Sequence, residues 1–260
     1  MPDPAAGHFV IAGAQRCGTT LLYELLDAND EIEMARPMRP EPKWFLAPES
    51  RDRGREDYLR RLFSGHPVRW RGEKSTSYIE HPGVASRIAA ILPEARIFVS
   101  VRDPIDRAVS NYDFSSDHGV ETRPITEALS PDAIGTMSYD SEQFSVSPFA
   151  YLERGRYVDH LAPWLDAFGR ERLEIVFFDD VCAGLAMSHF AACLGIRTPE
   201  PTTAPEPVNA STHRSTLPTA LREELTDFYR PSVRGLERLT GRNLDHWLQP
   251  STTEVRARND

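Results

Sequence analysis

This 260-residue chain is poor in three things: cysteine, positive net charge and long apolar runs. Its cysteines are Cys17, Cys182 and Cys193. So small and odd a set builds no disulfide framework and fits a reducing compartment. No ligand spacing joins them to one another or to the eight histidines, so no metal is expected. The net charge is −9 and the pI about 5.4, which makes the chain a poor general partner for nucleic acid or an anionic membrane. A local basic cluster in such a chain reads instead as a small-anion site. No apolar run approaches the roughly 20 residues that span a bilayer. The opening MPDPAAGHFVIAGA lacks the basic and apolar regions of a secretory leader, so the expected location is cytoplasmic. Hydrophobic residues at 40% and charged residues at 27% suit a globular fold, and the length suits one α/β domain over 1–260.

The periodic segments alternate. HFVIA (His8 to Ala12) reads as a buried strand, and Leu21, Leu22, Leu25 and Leu26 give the next segment a helical stripe. RPMRPEPK (36–43) is too proline-rich for a helix. RIFVSV (Arg96 to Val101) reads as a second strand. Asp103 then stands as an N-cap, Pro104 at the first helical position, and Ile105, Ala108, Val109 and Tyr112 form a stripe. Residues 117–149 keep no period and read as an irregular segment, a candidate acceptor-side lid. YVDHLAPWLDAF predicts a helix, RLEIVFF a strand, DDVCAGLAMSHFAACLGI one further helix, and the region from Pro218 a helix interrupted at Pro231. The alternation predicts a three-layer α/β fold with a central, mostly parallel sheet and helices on both faces, resembling P-loop proteins.

AGAQRCGTT, between the first strand and helix, has the layout of a phosphate-holding loop. Backbone N–H groups at a helix start face outward, Gly18 permits close approach, and Thr19 and Thr20 add hydroxyls. Against G-x-x-x-x-G-K-[ST], Thr19 occupies the lysine position and the cation, Arg16, comes earlier. In VRDPIDRAVSNY, Arg102 stands at the carboxyl end of a strand, where open α/β sheets bind ligands, with Ser110 two turns on and Arg107 as a possible assisting cation. The alternative pairs Arg102 with Asp103 or Asp106.

Together these motifs resemble the sulfotransferases that use 3′-phosphoadenosine 5′-phosphosulfate (PAPS) and release the 3′,5′-bisphosphate (PAP), most closely the bacterial and heparan-type members. QRCGTT is similar to the family's 5′-phosphosulfate loop, and VRDPxxRxxSxY to its 3′-phosphate site. GEKSTSYI is similar to its E-K-[ST]-P-x-Y segment, YLERGRYVDHLAPWLDAFGRERLEIVFFDDV to its middle helix–strand–helix, and NASTHRSTLP with LDHW to its closing loop and helix. The resemblance implies in-line sulfuryl transfer, without a metal, to a hydroxyl of a small molecule, sugar or glycolipid, in a setting such as bacterial secondary metabolism. It assigns Gln15, Arg16, Cys17, Gly18, Thr19, Thr20, Arg102, Ser110, Ser211 and Arg214 to the nucleotide.

It also places Glu41 of RPEPKWF at the glutamate base of K-E-x-H-[FY]-F, with Pro40 for the lysine and Lys43 for the histidine. Lys43 beside Glu41 would weaken it as a base. Lys74 is carried over as a transition-state cation; its alternative is a surface lysine paired with Glu73. Trp44, Phe45 and Tyr78 read either as acceptor-pocket lining or as core, and Cys17 as a thiolate or a small filler. Two rivals remain: a kinase with a degenerate P-loop, whose nearest Walker-B candidate is EIVFFDD, and a non-catalytic nucleotide- or anion-binding module.

Overall fold

A computed structural model describes residues 6–197 and 215–249. In chain order the main elements are β1 (Gly7–Gly13), α1 (Thr19–Asp27), β2 (Ile32–Met34), α2 (Ser50–Leu62), β3 (Trp70–Lys74), α3 (Pro82–Ile91), β4 (Arg96–Val101), α4 (Pro104–Asp117), α5 (Ile125–Ala128), α6 (Tyr157–Phe168), β5 (Leu173–Phe177), α7 (Phe178–Cys182), α8 (Ala186–Leu194) and α9 (Thr219–Thr240). The strands form one parallel sheet in the order β2-β3-β1-β4-β5.

Side-chain alternation divides the core into two layers. Phe9, Ile11 and Phe98 join Leu22, Leu26 and Phe190 of α1 and α8 on one face. Val10, Ala12, Val99 and Val101 join residues of α2, α3, α6 and α9 on the other. Fully buried parallel strands need apolar residues on both faces, so β1 and β4 read as mainly apolar runs. From β1 the chain first builds β2 and β3 on one side, then crosses to β4 and β5 on the other. The reversal opens a crevice at the carboxyl ends of β1 and β4, the usual ligand position in such sheets.

Two helix expectations are corrected. Residues 178–195 form two helices, α7 and α8, because Gly184 adopts φ 74° and Leu185 N–H turns back to the Asp180 carbonyl at 2.8 Å. α9 runs through Pro231 without interruption. Pro231 lies on the exposed side, where water can satisfy the Asp227 carbonyl, while Tyr229, Ser232, Val233 and Leu236 keep the buried stripe continuous. The Asp103 cap forms as expected, its carboxylate accepting from Ile105 and Asp106 N–H at 2.8 and 3.1 Å. α3 carried no sequence expectation; it opens on Pro82 and buries Val84, Ala85, Ile88 and Ile91.

Gly72 sits between two strand partners, Phe9 and Met34. A Cβ at Gly72 would lie 2.2 Å from the Phe9 Cζ and 2.6 Å from the Met34 Sδ. Phe9 cannot withdraw freely, because it packs edge-on against Phe98 with centroids 5.8 Å apart. Gly72→Ala should therefore cost about 1–3 kcal/mol through overpacking. Urea unfolding checks this, and an unchanged midpoint would mean that the layer is not close-packed.

Candidate active site

The site begins with the local structure of the β1–α1 loop. Arg16 and Gly18 adopt positive φ, 65° and 77°. Gly18 is required on two counts: its backbone conformation, and a Cβ there would lie 2.9 Å from the Phe178 ring. Ala14 N–H donates to the Ser100 carbonyl at 2.8 Å, and Ser100 Oγ donates to the Cys17 carbonyl at 2.6 Å. The Tyr157 hydroxyl of α6 accepts from Arg102 N–H at 3.2 Å, donates to the Arg102 carbonyl at 2.8 Å and lies 3.6 Å from Cys17 Sγ. The loop after β1 and the turn after β4 are thus bonded into one unit.

Onto this unit converge the residues of the two sequence motifs. Arg16 Nε donates to Ser110 Oγ at 3.1 Å, although the two are far apart in sequence. The Arg16 guanidinium lies over the Phe114 ring at 4.7 Å, and that of Arg102 over the Phe178 ring at 4.6 Å. Burial and then the neighbouring Arg102 charge lower the Arg16 pKa. Two guanidiniums beside the N–H groups of a helix start make a concentrated positive site for an anion. The acidic alternative for Arg102 fails, since Asp103 caps α4 and Asp106 bonds Arg222 at 3.2 Å. Arg107 does not assist: it is fully buried, donating to the Tyr151 carbonyl and to Asn111 Oδ1. Cys17 is likewise buried, and burial pushes its thiol pKa up, so only its backbone can face a ligand. Thr19 is buried and Thr20 half-buried at the start of α1, while Gln15 Nε2 donates to Glu80 at 3.2 Å. Ser211 and Arg214 lie outside the described residues.

Glu41 and Lys74 meet at the end of β3. Lys74 Nζ donates to Glu41 Oε1 at 2.8 Å, and Thr76 donates its backbone N–H to Oε2 at 2.9 Å and its hydroxyl to the same carboxylate. These supply three protons to about four lone-pair sites, so room remains for one incoming hydroxyl. The surface alternative for Lys74 is overturned: Lys74 is 4% exposed, and Glu73 turns the other way, into the core. The cation beside Glu41 is therefore Lys74; Lys43 donates to Ser145 Oγ at 2.8 Å instead. These are the only two lysines among 30 basic residues. The pair also adjoins the anion loop. Ser75 N–H bonds the Ile11 carbonyl at 3.1 Å, and a Cβ on Gly13 would stand 3.2 Å from the Thr76 carbonyl.

The irregular segment is fastened beside this pair. Besides Lys43, His81 Nε2 meets the Ser145 carbonyl at 2.8 Å, and Arg154, ion-paired to Glu80 at 2.8 Å, donates to the Ser147 carbonyl. Sequence reading missed Tyr157, Ser100, Thr76, Phe114 and Phe178. Trp44, Phe45 and Tyr78 belong to the core. Asp180, in the nearest Walker-B candidate, is engaged by Arg242 at 2.5 and 3.0 Å.

The family model for the sulfotransferase domain matches residues 6–188. The chain belongs to the sulfotransferase family. The crystal structure of a sulfotransferase from Alicyclobacillus acidocaldarius superposes on the domain with TM-score 0.75 and 27% identity, covering 94% of this chain and 100% of that one. The bifunctional heparan sulfate N-deacetylase/N-sulfotransferase 1 of Caenorhabditis briggsae is 27% identical over 179 residues, 66% of this chain but 20% of the relative. The mouse heparan sulfate glucosamine 3-O-sulfotransferase 3B1 is 25% identical over 164 residues, 61% of this chain and 38% of the relative. The match thus spans well under half the length of these curated relatives.

Behind the Glu41–Lys74 pair lies a buried acid. Glu73 is fully buried; Tyr78 and Ser75 donate to its Oε1 at 2.5 and 2.8 Å, while Oε2 has no partner. Burial pushes its carboxyl up to about 7 from 4.5, outweighing those hydrogen bonds. Between these two values the folded chain holds a proton that the unfolded chain releases, so stability falls as pH rises through the window. Glu73→Gln keeps the shape without the charge. It should flatten that part of the profile and leave the domain at pH 8 more stable than the parent, by up to roughly 3 kcal/mol. Chemical unfolding across pH checks this; comparing the two profiles separates Glu73 from Asp103 and His8, which also carry shifted pKa values. Parallel profiles would contradict it.

Proposed function

We propose that the chain transfers the sulfuryl group of 3′-phosphoadenosine 5′-phosphosulfate to a hydroxyl of a small molecule, sugar or glycolipid. The observation that carries this reading is the Arg16–Ser110 hydrogen bond, which joins the loop assigned to the phosphosulfate with the helix assigned to the 3′-phosphate. The 5′-phosphosulfate sits on the N–H groups from Cys17 to Thr20 with Arg16, and the 3′-phosphate on Arg102 and Ser110. Ser211 and Arg214 are assigned by family resemblance alone to a loop closing over it. The family membership supports the reaction type, and the names of the heparan sulfate relatives support a glycan-like acceptor among the candidates.

Glu41 accepts the acceptor's hydroxyl proton as the oxygen attacks sulfur in line with the departing phosphate. The S–O bond to the acceptor forms as the bridging S–O bond breaks, and the electron pair leaves with PAP. Arg16 lies against the bridging region and stabilises the charge growing on the phosphate. An arginine cannot give up a proton there, so its contribution is electrostatic. Lys74 shares its charge between Glu41 and the sulfuryl oxygens. Positioning and charge complementarity supply the rate, as in phosphoryl transfer. We read 1–260 as one catalytic domain, with the segment pinned by Lys43 and His81 bounding the acceptor pocket.

Two variants separate donor binding from chemistry. Glu41→Gln should lower kcat by about 100-fold or more while leaving PAP affinity within twofold. Arg102→Ala should weaken PAP by at least about tenfold, consistent with losing a charged hydrogen-bonding partner. Transfer of radiolabelled sulfate from PAPS to an acceptor panel, with calorimetric PAP titration, measures both. Undiminished turnover in Glu41→Gln, or unchanged PAP affinity in Arg102→Ala, would remove the assigned role.

A further inference from the structure

A second cluster lies away from the crevice, at the amino end of β5. Glu174 projects from the edge strand, and His189 and Cys193 stand one turn apart on α8, facing it. Cys193 Sγ lies 3.7 Å from His189 Nε2, and that nitrogen lies 3.7 Å from Glu174 Oε2. The three donor atoms all fall within 4.8 Å of one another. The nitrogen-to-oxygen separation is too long for a direct hydrogen bond. It is close to the roughly 3.3–3.6 Å between donors that share a tetrahedral ion at about 2.0–2.3 Å. The other carboxylate oxygen, Oε1, leans toward Arg96 Nη1 at 3.9 Å, which orients Oε2 toward the histidine. The cluster is open to an arriving ion, since the His189 side chain is 40% exposed and that of Glu174 21%.

We propose that Glu174, His189 and Cys193 form a binding site for a borderline-soft divalent transition ion of the zinc class, one that joins α8 to the edge strand. A sulfur, an imidazole nitrogen and one carboxylate oxygen suit zinc and its neighbours in the first transition row; magnesium and calcium require oxygen ligands. Three protein ligands leave a fourth position for water. Binding forms three metal–ligand bonds and releases the thiol proton to solvent, with no change of oxidation state. The site stands at the opposite end of the strands from Arg16 and Arg102, so its role is to secure α8 and the chain that leaves it, separate from sulfuryl transfer. His189 and Cys193 alone gave no metal pattern in the sequence, because the third ligand comes from a strand that only the fold brings alongside.

The reduced full chain, free of any affinity tag, is titrated with Co²⁺. One ion should bind per chain with a thiolate-to-cobalt charge-transfer band, and Zn²⁺ should bleach it. Cys193→Ser should abolish the band, Cys182→Ser should leave it intact, and His189→Gln should weaken cobalt binding at least tenfold. Zn²⁺ should raise the melting temperature of the parent and not that of Cys193→Ser. A parent protein that gives no band, or a band that survives Cys193→Ser, would overturn the proposal.

Discussion

One hydroxyl organises this molecule. Tyr157, delivered by α6 from the face of the sheet, bonds both backbone groups of Arg102 and touches Cys17 Sγ. It thereby locks the turn after β4 against the loop after β1. Burial pushes the phenol's pKa well above its ordinary value, so the group stays neutral and keeps its proton for the Arg102 carbonyl. Ser100, Cys17 and Ala14 complete the same junction. Two arginines brought this close repel each other, and the pair is held because the backbone beneath it cannot relax. The cost of gathering the charge is met in the fold before any anion arrives, which is what preorganisation means for a charged site.

The same strand ends place the two halves of the proposed site side by side. β1 carries the anion loop, and β3 beside it carries Lys74 and Thr76, which hold Glu41. Glu41 comes from a proline-rich loop with no regular structure of its own. Its position is set by three donors and by Lys43, whose N–H bonds Ser75 Oγ at 2.9 Å. Arg16 in place of a lysine changes the chemistry available, because a guanidinium binds planar oxygen pairs well and does not give up a proton. Of the two lysines in the chain, Lys74 is the one whose ammonium reaches the Glu41 carboxylate.

Much of this was legible in the sequence, for physical reasons. β1 and β4 are mostly apolar because they are buried on both faces, and Asp103-Pro104 announces a helix start with its own cap. The motif residues Arg16, Arg102 and Ser110 could be named because their types match anion binding at strand ends. Glu41 and Lys74 came from family resemblance, and their contact with each other did not, because two segments must fold together to make it. Pro231 misled because on the exposed side of α9 water can satisfy the carbonyl it frees, and exposure is not written locally. Tyr157 and Thr76 were invisible as functional residues: each acts through bonds to a partner distant in sequence. His189 and Cys193 looked scattered for the same reason.

The central claim is that one crevice reads the two phosphate positions of a 3′,5′-substituted adenine nucleotide. Calorimetric titration of PAP against adenosine 5′-monophosphate and ATP, with and without Mg²⁺, tests it most directly. PAP should bind at least about 100-fold more tightly than the monophosphate, as expected for a further charged contact worth roughly 3 kcal/mol, and Mg²⁺ should make no difference. Equal affinity for PAP and the monophosphate, or tight binding of ATP that depends on Mg²⁺, would contradict it.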